Sequence, residues 1–199
     1  MSRFKTLILF LFIANSSFGQ EIPEFATDIS PLLIGEQAPD RILKSIDGND
    51  IALREVLADK PTVLIFYRGG WCPYCNVHMA ELQDIESDVL ALGYQIIGVS
   101  PDSPEKLNSS LEKHGLSYLL FSDSDMETAL AFGIGYRAPE RNVQRLSDYS
   151  AGKNPGLLPV PAVFVINTEG VILFEYINPN YRIRMNGDLL MAVLKAIVE

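Results

Sequence analysis

The hydrophobic pattern changes period several times along the chain. Residues 62–67, TVLIFY, are β-branched and apolar with almost no polar alternation, the pattern of a short strand buried on both faces. From Pro73 to Leu92 the period becomes helical. Cys75, Met79, Leu82, Ile85, Val89 and Leu92 fall on one stripe at steps of three and four, and Gly93 ends it. YQIIGVS (94–100) reads as a second central strand. Ser103-Pro104-Glu105 then opens another helix, with Ser103 as cap and Pro104 at the first helical position, and Gly115 closes it. YLLFS (118–122) gives a third strand, and residues 126–132 a short helix. AVFVIN and VILFEY flank the turn TEG as a hairpin. An earlier hairpin turns at Asp47-Gly48, and a terminal helix covers residues 188–198.

Strands alternating with helices, then a hairpin and a last helix, predict an α/β fold with a mixed central sheet and helices on both faces. Two stretches lack periodicity. Residues 20–34 read as an extended leader. Residues 135–161 read as one long irregular loop carrying Arg137, Arg141, Arg145 and Lys153, and loops of that length are commonly functional.

The first nineteen residues stand apart. Arg3 and Lys5 precede an apolar run from Leu7 to Ala14, and Ser16, Ser17 and Gly19 follow. This is the three-part layout of a secretory signal, with a cut after Gly19 or Gln20. The apolar run is shorter than the roughly 20 residues that cross a bilayer, and no cysteine follows it for a lipid anchor. An exported protein without stable membrane anchoring is expected, with residues 35–199 as its single domain. The formal net charge of −9 disfavours nucleic acid and anionic membranes as partners.

Export sharpens the question of the two cysteines, Cys72 and Cys75, the only ones in the chain. A disulfide across two intervening residues closes too short a loop to stabilise much. A zinc site needs two more ligands, and His78 and His114 do not stand at familiar spacings from the pair. Redox work fits better, because a strand followed by Cys-x-x-Cys at a helix start is a redox arrangement. Cys72 falls at the helix cap, where unpaired N–H groups and the helix dipole favour thiolate. Arg68 adds a nearby positive charge, and Trp71 shields the site. Cys75 lies on the apolar stripe, so its thiol is expected to be buried and raised in pKa, leaving Cys72 as the ionised, accessible attacker. His78 is read as a packed or solvated histidine, and Glu81 and Asp84 as the wet face of the helix.

FYRGGWCPYC, with APDRILKSIDGNDIAL before it and VPAVFVINTEGVILF after it, resembles the peroxiredoxin-like branch of the alkyl hydroperoxide reductase/thiol-specific antioxidant (AhpC/TSA) family over about residues 35–199. The resemblance implies a thioredoxin-like fold with an added N-terminal β-hairpin, and a cis peptide bond before Pro161 beside the cysteines. It also implies a distant arginine brought to the site, for which Arg137 is the candidate. The family places a proline seven residues, and a threonine or serine three residues, before its attacking cysteine. With Cys75 in that place these positions hold Arg68 and Cys72; with Cys72 there they hold Ile65 and Gly69. Thioredoxins match WCPYC more closely, and in them the first cysteine attacks and the second resolves. The implied function is a thiol-dependent peroxidase taking electrons from a thioredoxin-like donor, with no bound cofactor. A protein disulfide oxidoreductase and a binding module clipped by a structural disulfide are the alternatives.

Overall fold

The computed structural model of the chain describes residues 21–198. The expected signal, residues 1–19, lies outside the described residues. In chain order the elements are β1 Ile42–Lys44, β2 Asp50–Ala52, α1 Leu53–Asp59, β3 Thr62–Phe66, α2 Pro73–Ala91, β4 Gln95–Ser100, α3 Pro104–His114 and β5 Leu119–Ser122. There follow α4 Glu127–Ala131, β6 Gly135–Arg137, α5 Glu140–Tyr149, β7 Leu157–Pro159, β8 Ala162–Ile166, β9 Ile172–Ile177 and α6 Gly187–Val198.

Seven strands form the central sheet in the order β2-β1-β5-β4-β3-β8-β9. β3, β4 and β5 run parallel, while β8 joins β3 and β9 joins β8 antiparallel, so the sheet is mixed as the strand–helix alternation predicts. β1 and β2 form the expected N-terminal hairpin, turned at Gly48 with φ +83°, and β1 docks antiparallel on β5.

β3 explains why the molecule has two cores. Every residue of it is buried, and alternate side chains leave opposite faces of the sheet. Leu64 and Phe66 join Phe132, Phe164 and α1's Leu53 and Leu57 on one face. Val63 and Ile65 join Cys75, Met79 and Leu82 of α2, Leu107 of α3 and Leu190 and Leu194 of α6 on the other. The stripe on α2 is thus a packing face, and the cysteine pair belongs wholly to the second core. α3 starts and stops where its sequence signals stand: the Ser103 hydroxyl accepts from the Lys106 N–H, and Gly115 takes the left-handed conformation.

Residues 21–34 form no helix or strand, and they are held down: Ile22, Ala26, Ile29 and Leu32 pack on the first core, and the Leu32 N–H donates to the Phe132 carbonyl at 3.1 Å. One expectation requires correction. Residues 135–161 are no loop. β6 and β7 pair antiparallel, Gly135 opposite Pro159, and α5 stands between them. α5 is strongly amphipathic, but it buries only Leu146 and Asn142, so few apolar residues mark it among the charged ones.

Candidate active site

After β3 the chain bends through Tyr67–Trp71 and enters α2 with Cys72 as cap and Pro73 at the first helical position. Cys75 and Asn76 donate their N–H groups to the Cys72 carbonyl at 3.0 and 3.1 Å. The bend is fixed from below by Asp102, which follows β4. Its carboxylate accepts the Gly70 N–H at 2.7 Å, and the Gly70 carbonyl accepts the Asn76 side-chain amide at 3.0 Å. Gly69 has φ +121°, and a Cβ there would stand 2.5 Å from an Asp102 oxygen and 2.7 Å from the Trp71 indole nitrogen. Only glycine fits between those two side chains. Burial pushes the Asp102 carboxyl up to about 7, against the opposing pull of the Gly70 hydrogen bond.

Both cysteines are free thiols. Their surroundings push the two thiols in opposite directions. The hydrogen bond from Cys75 is the largest influence on Cys72, outweighing burial, and with help from Arg68 and Arg184 it brings Cys72 down to about 6. Cys75 moves the other way, raised first by burial and then by its thiolate neighbour. One sulfur is therefore a thiolate at neutral pH and the other a thiol donating to it.

The accessibility expected for Cys72 is corrected. The residue is only 1% exposed, and Trp71 and the α5 residue Asn142 line the same cleft. It reaches solvent through a cleft of about 400 Å³ between the start of α2 and α5. Arg68 and Trp71 stand where expected, beside the pair. The Arg68 guanidinium is buried and lies 5.0 Å from the Trp71 ring centre and 4.1 Å from that of Tyr181.

Arg137 is not brought to the cysteines. β6 holds its backbone opposite Leu157, and its guanidinium lies 3.6 Å from the Glu24 carboxylate at the surface. The arginine that does arrive is Arg184, whose Nη2 is 3.4 Å from the Cys75 sulfur. Its only signal in the sequence is a basic pair, Arg182 and Arg184, just before the last helix. His78 is buried one turn beyond Cys75 and is driven down to about 4 by burial and then by Arg184, so it is neutral at neutral pH. Glu81 and Asp84 are exposed, as expected. Pro161 lies at the head of β8 near His78 and Arg184. The peptide bond before it is trans, against the cis bond that the resemblance implies, and the Val160 N–H donates to the Ile134 carbonyl.

The sequence model of the AhpC/TSA family matches residues 34–174. A protein of Haemophilus influenzae described as a putative peroxiredoxin bcp is 33% identical over 106 residues, which are 53% of this chain and 68% of that protein. Peroxiredoxin Bcp of Bacillus subtilis is 38% identical over 51% of this chain and 64% of its own. Among solved structures, peroxidoxin BcpB of Mycobacterium tuberculosis superposes with a TM-score of 0.65 at 25% identity, over 82% of this chain and 97% of that one. Reduced Prx3 of Vibrio vulnificus in complex with hydrogen peroxide shares the fold, with a TM-score of 0.71 at 18% identity, over 82% and 99%. With the thioredoxin-like sheet, the added hairpin and the thiol pair at a helix start, these likenesses make the chain an oxidoreductase belonging to the AhpC/TSA family.

Proposed function

We propose that the protein reduces hydroperoxides with Cys72 as the attacking thiolate and Cys75 as the resolving thiol. The observation that carries this reading is the asymmetry of the pair: a lowered, hydrogen-bonded sulfur at the helix cap against a raised, buried sulfur one turn on. The Cys72 sulfur attacks the distal peroxide oxygen. An S–O bond forms, the O–O bond breaks, and the alkoxide or hydroxide leaves with a proton. Cys75 then gives up its proton and attacks the oxidised sulfur, an S–S bond forms, and water departs. Arg184 beside Cys75 supports the negative charge that this second step needs. A thioredoxin-like dithiol supplies the two electrons that reopen the disulfide. The layout of residues 1–19 supports doing this outside the cytosol.

A second reading, disulfide exchange with protein partners, is favoured by Tyr74 and Val77. These are exposed apolar side chains on the first turns of α2, where a partner would dock. Peroxide consumption by the reduced protein under a dithiol donor, run beside insulin reduction, separates the two. Peroxide loss is expected. Insulin reduction alone establishes the exchange reading, and inactivity in both assays leaves a binding module.

A further inference from the structure

The cleft that leads to Cys72 contains cations with no counter-charge. Arg68 lies at its floor, and α5 presents Arg141 and Arg145, one helical turn apart, along its wall. Arg145 lies 5.2 Å from the centre of the same Trp71 ring that Arg68 approaches. Among the described residues the ion pairs are Lys44 with Asp50, Arg54 with Asp40 and Arg137 with Glu24; none involves a cleft arginine. Arg141 and Arg145 are exposed at the mouth of the cleft, but Arg68 is buried, and a buried cation without a counter-charge is costly unless an anion completes it.

The unsatisfied polar atoms of the cleft point the same way. Arg68 Nε and Asn142 Nδ2 are buried without hydrogen-bond partners, and the two residues are 5% and 6% exposed. Both atoms are donors. A buried donor without an acceptor is costly, so the cleft is complementary to a ligand that brings acceptor oxygens. Trp71, Tyr74 and Tyr181 supply flat apolar walls, and about 400 Å³ is the volume of a small-molecule site.

We propose that this cleft is a carboxylate subsite, and that the preferred substrate is a small organic hydroperoxide carrying a carboxylate on a flat apolar body. Guanidinium groups bind the carboxylate with paired hydrogen bonds while the peroxide end reaches Cys72. The substrate assignment rests on the peroxidase reading; the anion subsite does not.

Two arms test it. In the reduced Cys75→Ser variant, Cys72 is alkylated with iodoacetate and with iodoacetamide at low ionic strength. The iodoacetate:iodoacetamide rate ratio is expected to exceed that of a free cysteine by about tenfold, the effect of one well-placed charge. It should fall back when Arg141→Gln and Arg145→Gln are combined, and persist in Arg137→Gln, which lies outside the cleft. A ratio equal to that of free cysteine overturns the subsite.

In the second arm kcat/KM is compared for cumene hydroperoxide and its para-carboxylate. A preference of about tenfold for the carboxylate, lost in the double Gln variant, is expected. Turnover of both peroxides without preference overturns the substrate class. So does a carboxylate preference seen only among thiol reductants, mercaptosuccinate over mercaptoethanol, which assigns the subsite to the electron donor. Consumption of neither peroxide, with the alkylation ratio still high, leaves the subsite standing and removes the peroxidase reading with its substrate.

Discussion

Arg184 Nη2 lies 3.4 Å from the Cys75 sulfur, bringing together residues 109 positions apart in the chain. The contact places a permanent cation on Cys75, and the same cation helps to lower Cys72. Burial raises Cys75, and Arg184 is the chief opposing influence. Its place is consistent with a role in the second chemical step, when the buried thiol must ionise.

Arg184→Gln is therefore expected to slow closure of the disulfide by about tenfold, the effect of roughly one pKa unit on the resolving thiol. After one equivalent of hydrogen peroxide, the oxidised Cys72 intermediate should accumulate and be trapped by dimedone. Arg184→Lys should restore part of the rate. Closure at the original rate in the Gln variant would remove Arg184 from the mechanism.

The reactivity of Cys72 should depend on pH through a group near 6. Its thiolate forms as pH rises through about 6, so alkylation should climb across that range and level off above it. Cys75→Ala deletes the hydrogen bond that contributes most to this lowering, and the midpoint should move up by a unit or more. Midpoints that coincide in the two proteins would show that the helix cap alone lowers Cys72.

Asp102 links the active-site bend to stability. Its carboxyl is raised from 3.8 to about 7, so between those values the folded protein holds a proton that the unfolded chain has lost. Stability from this group is complete below about pH 4 and declines as pH rises towards 7. Asp102→Asn keeps an oxygen for the Gly70 N–H and cannot ionise. Relative to the parent, it should gain on the order of 3 kcal/mol between about pH 4 and pH 8 in denaturant titrations. A difference that does not vary with pH would show that Asp102 ionises as freely as in the unfolded chain.

The proposed export makes a separate prediction. Mass spectrometry of the protein from its native cell should find a first residue near Gln20, from the layout of residues 1–19. Recovery of chains that still begin at Met1 would overturn signal cleavage.

What was legible in the sequence was local. TVLIFY needed only its own apolar residues to be read as a doubly buried strand, and Ser103-Pro104 with Gly115 delimited α3 through backbone chemistry contained in those residues. The place of the cysteine pair at a helix start was legible for the same reason, although its thiol state was not. The 135–161 segment was not, because its strands are three residues each and α5 owes its place to one buried leucine and one buried asparagine. Arg184 and Asp102 reach the site from distant elements, which no local pattern reports. The same holds for the burial of Cys72, which packs into the second core among residues from distant elements. Arg137 is the candidate that the family resemblance supplies for a distant arginine, and pairing between β6 and β7 sends it elsewhere.

Trp71 is the single tryptophan of the chain, adjacent in sequence to Cys72 and lining the same cleft between two guanidinium groups. That gives the enzyme a built-in optical probe. Red-edge excitation isolates this indole from the eight tyrosines, and its emission depends on the sulfur and the charges beside it. Each change in the cysteine pair, from thiolate to oxidised sulfur to disulfide and back, should register as its own intensity, so a single turnover can be watched without a label.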